Sequence, residues 1–160
     1  MSEEGYTPYA NMSGRMVKVG NQLNRSAMHL LHRAGQCAAD IFSSEARASG
    51  LTPRQFAVLM VVAEEEGLTQ TDLVERTGID RSTLADIVAR LLGRGLIQRR
   101  RAKEDGRAYA IKLTPQGARS LRDAQPGATA TDTRLLANLP PAKRQDFLES
   151  LSLIVTAVRK

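Results

Sequence analysis

The sequence predicts a mainly α-helical protein carrying one small β-hairpin, and three observations lead there. Aromatics are only 4% of the 160 residues and Trp is absent, while hydrophobic residues reach 42%. A core of Leu, Ile, Val and Ala suits packed helices better than stacked sheets, whose strands favour aromatic and β-branched residues. Apolar residues recur at three- and four-residue spacing along most of the chain. Between Leu96 and Leu113 the period drops to two, and Asp105-Gly106 in the middle is a hairpin signal. The length suits one compact domain, or a small domain with extensions that need a partner to bury them.

Residues 1–14 lack apolar periodicity and read as a flexible arm. Over residues 17–48, Leu23, Ala27, Leu30 with Leu31, Ala34, Cys37 with Ala38, and Ile41 with Phe42 predict one long amphipathic helix ending at Gly50. A second helix opens at Thr52-Pro53-Arg54-Gln55: Thr52 caps it, Pro53 suits the first helical position and Gln55 reaches back. Phe56, Leu59, Met60 and Ala63 continue it. Thr69 to Asp72 repeats a start signal, and Leu73, Val74 and Thr77 carry a short third helix to Gly78. Asp80 caps a fourth, with Leu84, Ile87, Val88, Leu91 and Leu92 as its buried face and Gly95 as its stop. Strands over 97–103 and 107–113 follow. Thr114-Pro115 starts another helix, expected to break or kink near Pro126-Gly127. The last begins at Pro140-Pro141, with Phe147, Leu148, Leu151, Ile154, Val155 and Val158 as its apolar stripe.

Charge narrows the partner. The net charge is +6, and residues 80–107 alone carry a surplus of four positive charges. That concentration points to an anionic partner met by one segment, such as nucleic acid. Residues 1–14 lack the basic start and apolar stretch of a secretory leader, and no run approaches the ~18 apolar residues of a membrane span. A cytoplasmic protein is expected. One cysteine excludes an intrachain disulfide and a multi-cysteine metal cage. With two His, no glycine-rich phosphate loop and no paired carboxylates in an apolar setting, no nucleophile and base present themselves, so an enzyme is not expected.

Residues 69–95 have the spacing of a helix-turn-helix, a pattern common in helical proteins. What gives it meaning is the basic hairpin directly behind it, completing the order helix, turn, helix, strand, strand of a winged helix-turn-helix. A major groove admits a helix and exposes base edges, so Arg81, Ser82, Thr83 and Asp86 would face DNA, with Arg90 one turn further reaching phosphate. In the hairpin, Arg99, Arg100, Arg101 and Lys103 precede the tip and Arg107 follows it. Alternation sends Arg99 and Arg101 to one face and Arg100 to the other. Asp105 is placed to hold the Arg107 guanidinium toward a narrow minor groove.

Residues 51–117 resemble the DNA-binding lobe of the multiple-antibiotic-resistance regulator (MarR) family. The marks are Leu51-Thr52 with Phe56, Leu73, Ser82-Thr83, Leu91 with Gly95-Leu96-Ile97, Asp105-x-Arg107, and Leu113-Thr114-Pro115 with Gly117. The likeness extends more loosely over about 20–158. It implies an arm (1–14), a winged lobe (51–114) and a helical dimerisation region (15–50 and 115–160), the terminal helices intertwining in a homodimer. Ala85 and Asp86 depart from the family pattern, which often has a small hydroxyl residue followed by Arg. A carboxylate facing DNA must accept from a cytosine amino group or orient Arg81 or Arg90.

A dimer of this type would read a pseudo-palindrome with half-sites about 34 Å apart, and a ligand wedged between lobe and dimer core would release it. The resemblance places the effector side on the first long helix, at His29 and His32. Without carboxylates or cysteines nearby, this pair reads as surface or ligand-pocket histidines rather than a metal site, and no cofactor is expected. Cys37 lies on the apolar stripe, which predicts burial rather than redox sensing. Within the family, the whole-chain pattern is similar to the CouR-like regulators of hydroxycinnamate catabolism. That likeness implies an aromatic acyl-coenzyme A effector such as p-coumaroyl-coenzyme A, with Arg25, Arg33 or Arg54 on its phosphates. The expected function is a ligand-released repressor; a ligand-independent architectural DNA-binding protein is the alternative.

Overall fold

The computed structural model describes residues 22–65, 67–101 and 109–158. Its elements run α1 (Ala27–Glu45), a 3-10 turn (Arg47–Ser49), α2 (Pro53–Glu64), α3 (Gln70–Thr77), α4 (Arg81–Gly93), β1 (Ile97–Arg101), β2 (Tyr109–Leu113), α5 (Pro115–Leu136) and α6 (Pro141–Val158). The strands form one antiparallel pair with Ile97 opposite Leu113 and Arg101 opposite Tyr109. The mainly helical class with one hairpin is as the sequence predicts. No helix among the described residues is long and apolar enough to cross a membrane.

The chain divides after Asp40 into two compact units. In the first, the single helix expected over residues 17–48 is interrupted: residues 22–23 are helical, and α1 starts afresh after a turn. Residues 24–25 form a turn, and the Ser26 hydroxyl oxygen accepts from the His29 N–H at 3.3 Å, capping a helix that starts at Ala27. A hydroxyl cap competes well with helix continuation, and periodicity alone does not register it. Met28, Leu30 and Leu31 are exposed. So is Cys37, contrary to the burial expected from its stripe: an apolar stripe is buried only where another element covers it.

The second unit opens with the end of α1. Phe42 is buried against Phe56 of α2, with ring centroids 5.5 Å apart. The helix stops at Glu45, and a 3-10 turn carries the chain to Gly50 in a left-handed conformation (φ 61°). The predicted helix to Ala48 is therefore shortened by a tighter final turn, a frequent ending. The core of this unit is built from Val58 and Leu59 of α2, Leu73 of α3, Leu84, Val88 and Leu91 of α4, Leu96 ahead of β1 and Ile111 of β2, all fully buried.

α5 runs unbroken from Pro115 to Leu136 through Pro126, which corrects the expected break. An internal proline loses one helix hydrogen bond and crowds the preceding turn, at about 3 kcal/mol. Here Leu121, Ala124, Gly127 and Thr131 are all buried on one face while Pro126 is exposed on another, so packing holds the helix on both sides of the ring. A Cβ at Gly127 would lie 2.7 Å from the Ala46 Cβ, so the absent side chain is what lets α5 approach the chain after α1 so closely. α6 is exposed along most of its length, including Phe147, Leu148, Leu153, Ile154 and Val155.

Candidate nucleic-acid interface

Three consecutive cap geometries set the angles of α2, α3 and α4. The Thr52 oxygen accepts from the Gln55 N–H at 3.2 Å while Gln55 Oε1 accepts from the Thr52 N–H at 3.1 Å. Thr69 and Asp72 repeat this reciprocal pattern at the head of α3. Asp80 Oδ1 accepts from the Thr83 N–H at 2.9 Å at the head of α4. The turn between α3 and α4 rests on Gly78 in a left-handed conformation (φ 68°), and the Thr77 hydroxyl closes it by donating to Leu73 O and accepting from the Ile79 N–H. A residue with a side chain would be strained at Gly78.

These caps also hold charge. The Thr83 backbone N–H, then its hydroxyl, pull the Asp80 carboxyl below the ordinary aspartate range. The Thr69 N–H and hydroxyl do the same for Asp72, with Arg76 adding to them. A depressed folded-state value stabilises the fold above the unfolded pKa of about 3.9 and loses that contribution as pH falls through the folded value. The gap in melting temperature between wild type and Asp72→Ala is therefore expected to be full at pH 7 and to shrink below about pH 4. Thermal unfolding across pH 2.5–7 checks this, and a constant gap would contradict it.

With Leu84, Ile87, Val88 and Leu91 turned into the core, α4 leaves Arg81, Ser82, Ala85, Asp86 and Arg90 exposed. Thr83 is half-buried, and its N–H is committed to the cap. The expected orientation of the helix is thus present, with Thr83 turned further inward than its neighbours. Asp86 has no ion-pair partner among the described residues, so its carboxylate is not held by Arg81 or Arg90.

The hairpin stands beside this helix. Arg99 pairs with Ile111 and Arg101 with Tyr109 on one face of the strands, and Arg100 with Ala110 on the other, as alternation requires. The first face is the one that buries Ile97 and Ile111, so its arginines emerge next to the helices. Arg99 Nη2 donates to Gln70 Oε1 at 3.2 Å, tying the strand to the head of α3. The Ile111 N–H donates to Leu68 O at 2.8 Å, a second tie. No sequence signal marked Gln70, because the contact joins residues 29 apart in the chain. Tyr109, exposed opposite Arg101, likewise carries no mark in the sequence. Lys103, Asp105 and Arg107 lie outside the described residues.

Arg25, His32 and Arg33 are exposed and His29 is half-buried, all in the first unit. Arg54 belongs to the second unit and lines a recess of about 390 Å³ with Thr77, Gly78, Ile79 and Asp80, on the surface at the head of α4. A larger recess of about 860 Å³ lies along α5, where Pro126, Thr129 and Ala130 sit between Arg122 and Arg134. Arg134 Nη1 donates to Glu45 Oε1 at 2.6 Å.

A helix-turn-helix followed by a basic hairpin anchored to it defines a winged helix-turn-helix protein. Comparison with known proteins places it further. The model of the MarR family matches residues 49–108. The HTH-type transcriptional repressor NicR of Pseudomonas putida is 30% identical over 127 residues, covering 79% of this chain and 80% of NicR. The structure of PcaV from Streptomyces coelicolor in complex with its natural ligand superposes with a TM-score of 0.78 at 31% identity, covering 85% of this chain and 96% of PcaV. That of the transcriptional repressor CouR bound to a 23-mer DNA duplex gives 0.77 at 30% identity, over 88% and 99%. The chain belongs to the MarR family of winged helix-turn-helix regulators. It is a DNA-binding transcriptional regulator, as these relatives are, and not an enzyme.

Proposed function

We propose that the chain is a repressor that binds a pseudo-palindromic operator as a homodimer and is released by a small aromatic or aromatic acyl-coenzyme A effector. The observation that carries the reading is the exposed strip Arg81, Ser82, Ala85, Asp86 and Arg90 on α4, flanked by the anchored hairpin. Phosphate contacts supply position and affinity, base edges supply sequence. Arg81, Ser82, Thr83 and Asp86 meet bases, Arg90, Arg99 and Arg101 meet the backbone, and Lys103, Asp105 and Arg107 complete the DNA-contacting set. Asp86, unpaired among the described residues, accepts from a cytosine amino group. Arg54 beside Asp80 joins the DNA side rather than the effector set.

The homodimer reading rests on the apolar side chains left exposed on each of α1 and α6, including Met28, Leu30 and Leu31 of the first and Phe147, Leu148, Leu153, Ile154 and Val155 of the second. The effector reading rests on Arg25, His29, His32 and Arg33 of α1, and on relatives such as PcaV, solved with its natural ligand. The protein acts in the cytoplasm, where its DNA is. Selection of duplexes from a random 30-base-pair pool tests the DNA arm: a bounded site with two inverted half-sites is expected, whereas uniform binding would favour an architectural role. For the effector, titration calorimetry with p-coumaroyl-coenzyme A and with free p-coumarate is expected to show binding of at least one. No heat from either removes that ligand class.

A further inference from the structure

Arg94 carries a positive charge inside the basic segment and is exposed, yet one end of its guanidinium is engaged by the protein. It is the C-terminal cap residue of α4 (φ −85°, ψ −2°), and its own N–H closes the helix on Arg90 O. Its guanidinium reaches across the fold: Nη1 donates to Gly50 O at 2.9 Å and lies 3.4 Å from Gln55 Oε1. Gly50 ends the 3-10 turn that follows α1, and Gln55 is the residue whose side chain closes the N-terminal cap of α2. One side chain thus joins three chain ends: the tail of α4, the exit of α1 and the entry of α2.

Gly50 is fitted to this contact twice over. Its left-handed backbone (φ 61°) favours glycine, and a Cβ there would come within 3.3 Å of Arg94 Nη2. The rest of α4 is held along its buried face by Leu84, Ile87, Val88 and Leu91. Interdigitation along such a face sets the crossing angle only to within about 15–20°, and a tie at one end narrows it. Asp80 with Thr83 caps the head within the helix itself, whereas Arg94 ties the tail to Gly50 and Gln55 of other segments. A planar guanidinium with five fixed donors can bridge two acceptors at once, which an ammonium does less well.

We infer that Arg94 is a positioning residue for DNA recognition: it sets the angle of α4 by pinning the tail of that helix to the exit of α1, and so governs sequence discrimination without contacting DNA. The inference rests on the reading of α4 as the recognition helix. It also supplies a direct link from the end of α1 to the DNA-reading element.

Arg94→Ala and Arg94→Lys test it, with the duplex that wild type selects from the random pool and a scrambled duplex of the same composition as probes. Arg94→Ala is expected to lose about tenfold on the selected duplex and under twofold on the scrambled one, with faster hydrogen exchange at the amides of residues 90–95. Arg94→Lys, which keeps the charge but places its donors on a single nitrogen, is expected to recover part of the discrimination. Equal losses on both duplexes would make Arg94 a phosphate contact and overturn the inference. Unchanged discrimination in both variants would overturn it as well. If Arg94→Ala does not fold, Arg94→Lys decides alone, since full discrimination and unchanged exchange would then refute the pin. Failure of wild type to bind either duplex would instead refute the DNA reading itself.

Discussion

Replacing Gly117 with alanine is expected to be among the most destabilising single-methyl changes in this chain. Gly117 sits in the first turn of α5, where its N–H donates to the Thr114 hydroxyl oxygen at 3.0 Å. A Cβ placed on it would lie 1.9 Å from the Leu96 carbonyl oxygen and 2.8 Å from the Leu96 carbonyl carbon. Both are backbone atoms of the segment between α4 and β1, so no side-chain rotation relieves the clash. That segment is also tied from the other side, since the Thr114 hydroxyl donates to Gly95 O at 2.6 Å and the Thr114 N–H to Leu96 O at 3.1 Å. Overpacking of a well-packed site costs about 1–3 kcal/mol and sometimes more, and an obstruction by backbone belongs at or above the top of that range. Urea unfolding followed by circular dichroism reads the loss. A midpoint within error of wild type would show that α5 can shift away from Leu96, and that the junction is looser than its hydrogen bonds indicate.

The second large effect is expected on DNA rather than on the fold. Arg81 is exposed at the first position of α4, just beyond the Asp80 cap, where a helix entering the major groove brings its side chains to base edges. A bidentate arginine–base contact is worth about 1–3 kcal/mol of discrimination, so Arg81→Ala is expected to weaken the selected duplex about tenfold to a hundredfold. Asp86→Ala should behave differently. Removing a carboxylate relieves repulsion by phosphate, so general affinity is expected to hold or rise while preference at one base pair relaxes. Parallel titrations on selected and scrambled duplexes, across several salt concentrations, separate the two outcomes. If Asp86→Ala loses equally on both, the carboxylate does not read a base.

Alternation places Arg99 with Arg101 on the DNA-facing side of the hairpin, and its guanidinium also bonds Gln70. That bond keeps the base of the hairpin against the head of α3, and it lets Arg99 present its remaining donors outward. Arg101, two pairs further along, has exposed Tyr109 opposite it.

The sequence by itself determined the local grammar of this protein. Thr52, Thr69, Asp80 and Thr114 each start a helix by hydrogen bonds within three residues, and Gly50 and Gly78 end segments with left-handed backbone, so a few neighbouring letters suffice. The buried face of α4 and the register parity of the arginines follow equally from periods of 3.6 and two. Tertiary structure alone decided the rest. Pro126 stays inside a continuous helix because packing on both sides outweighs the lost hydrogen bond. Cys37 is exposed because a stripe says nothing about what covers it. Gln70 with Arg99, Arg94 with Gly50 and Gly117 against Leu96 are meetings of residues 29, 44 and 21 positions apart. Such contacts depend on how elements dock, and docking is the sum of many weak packing terms that no short stretch of sequence contains.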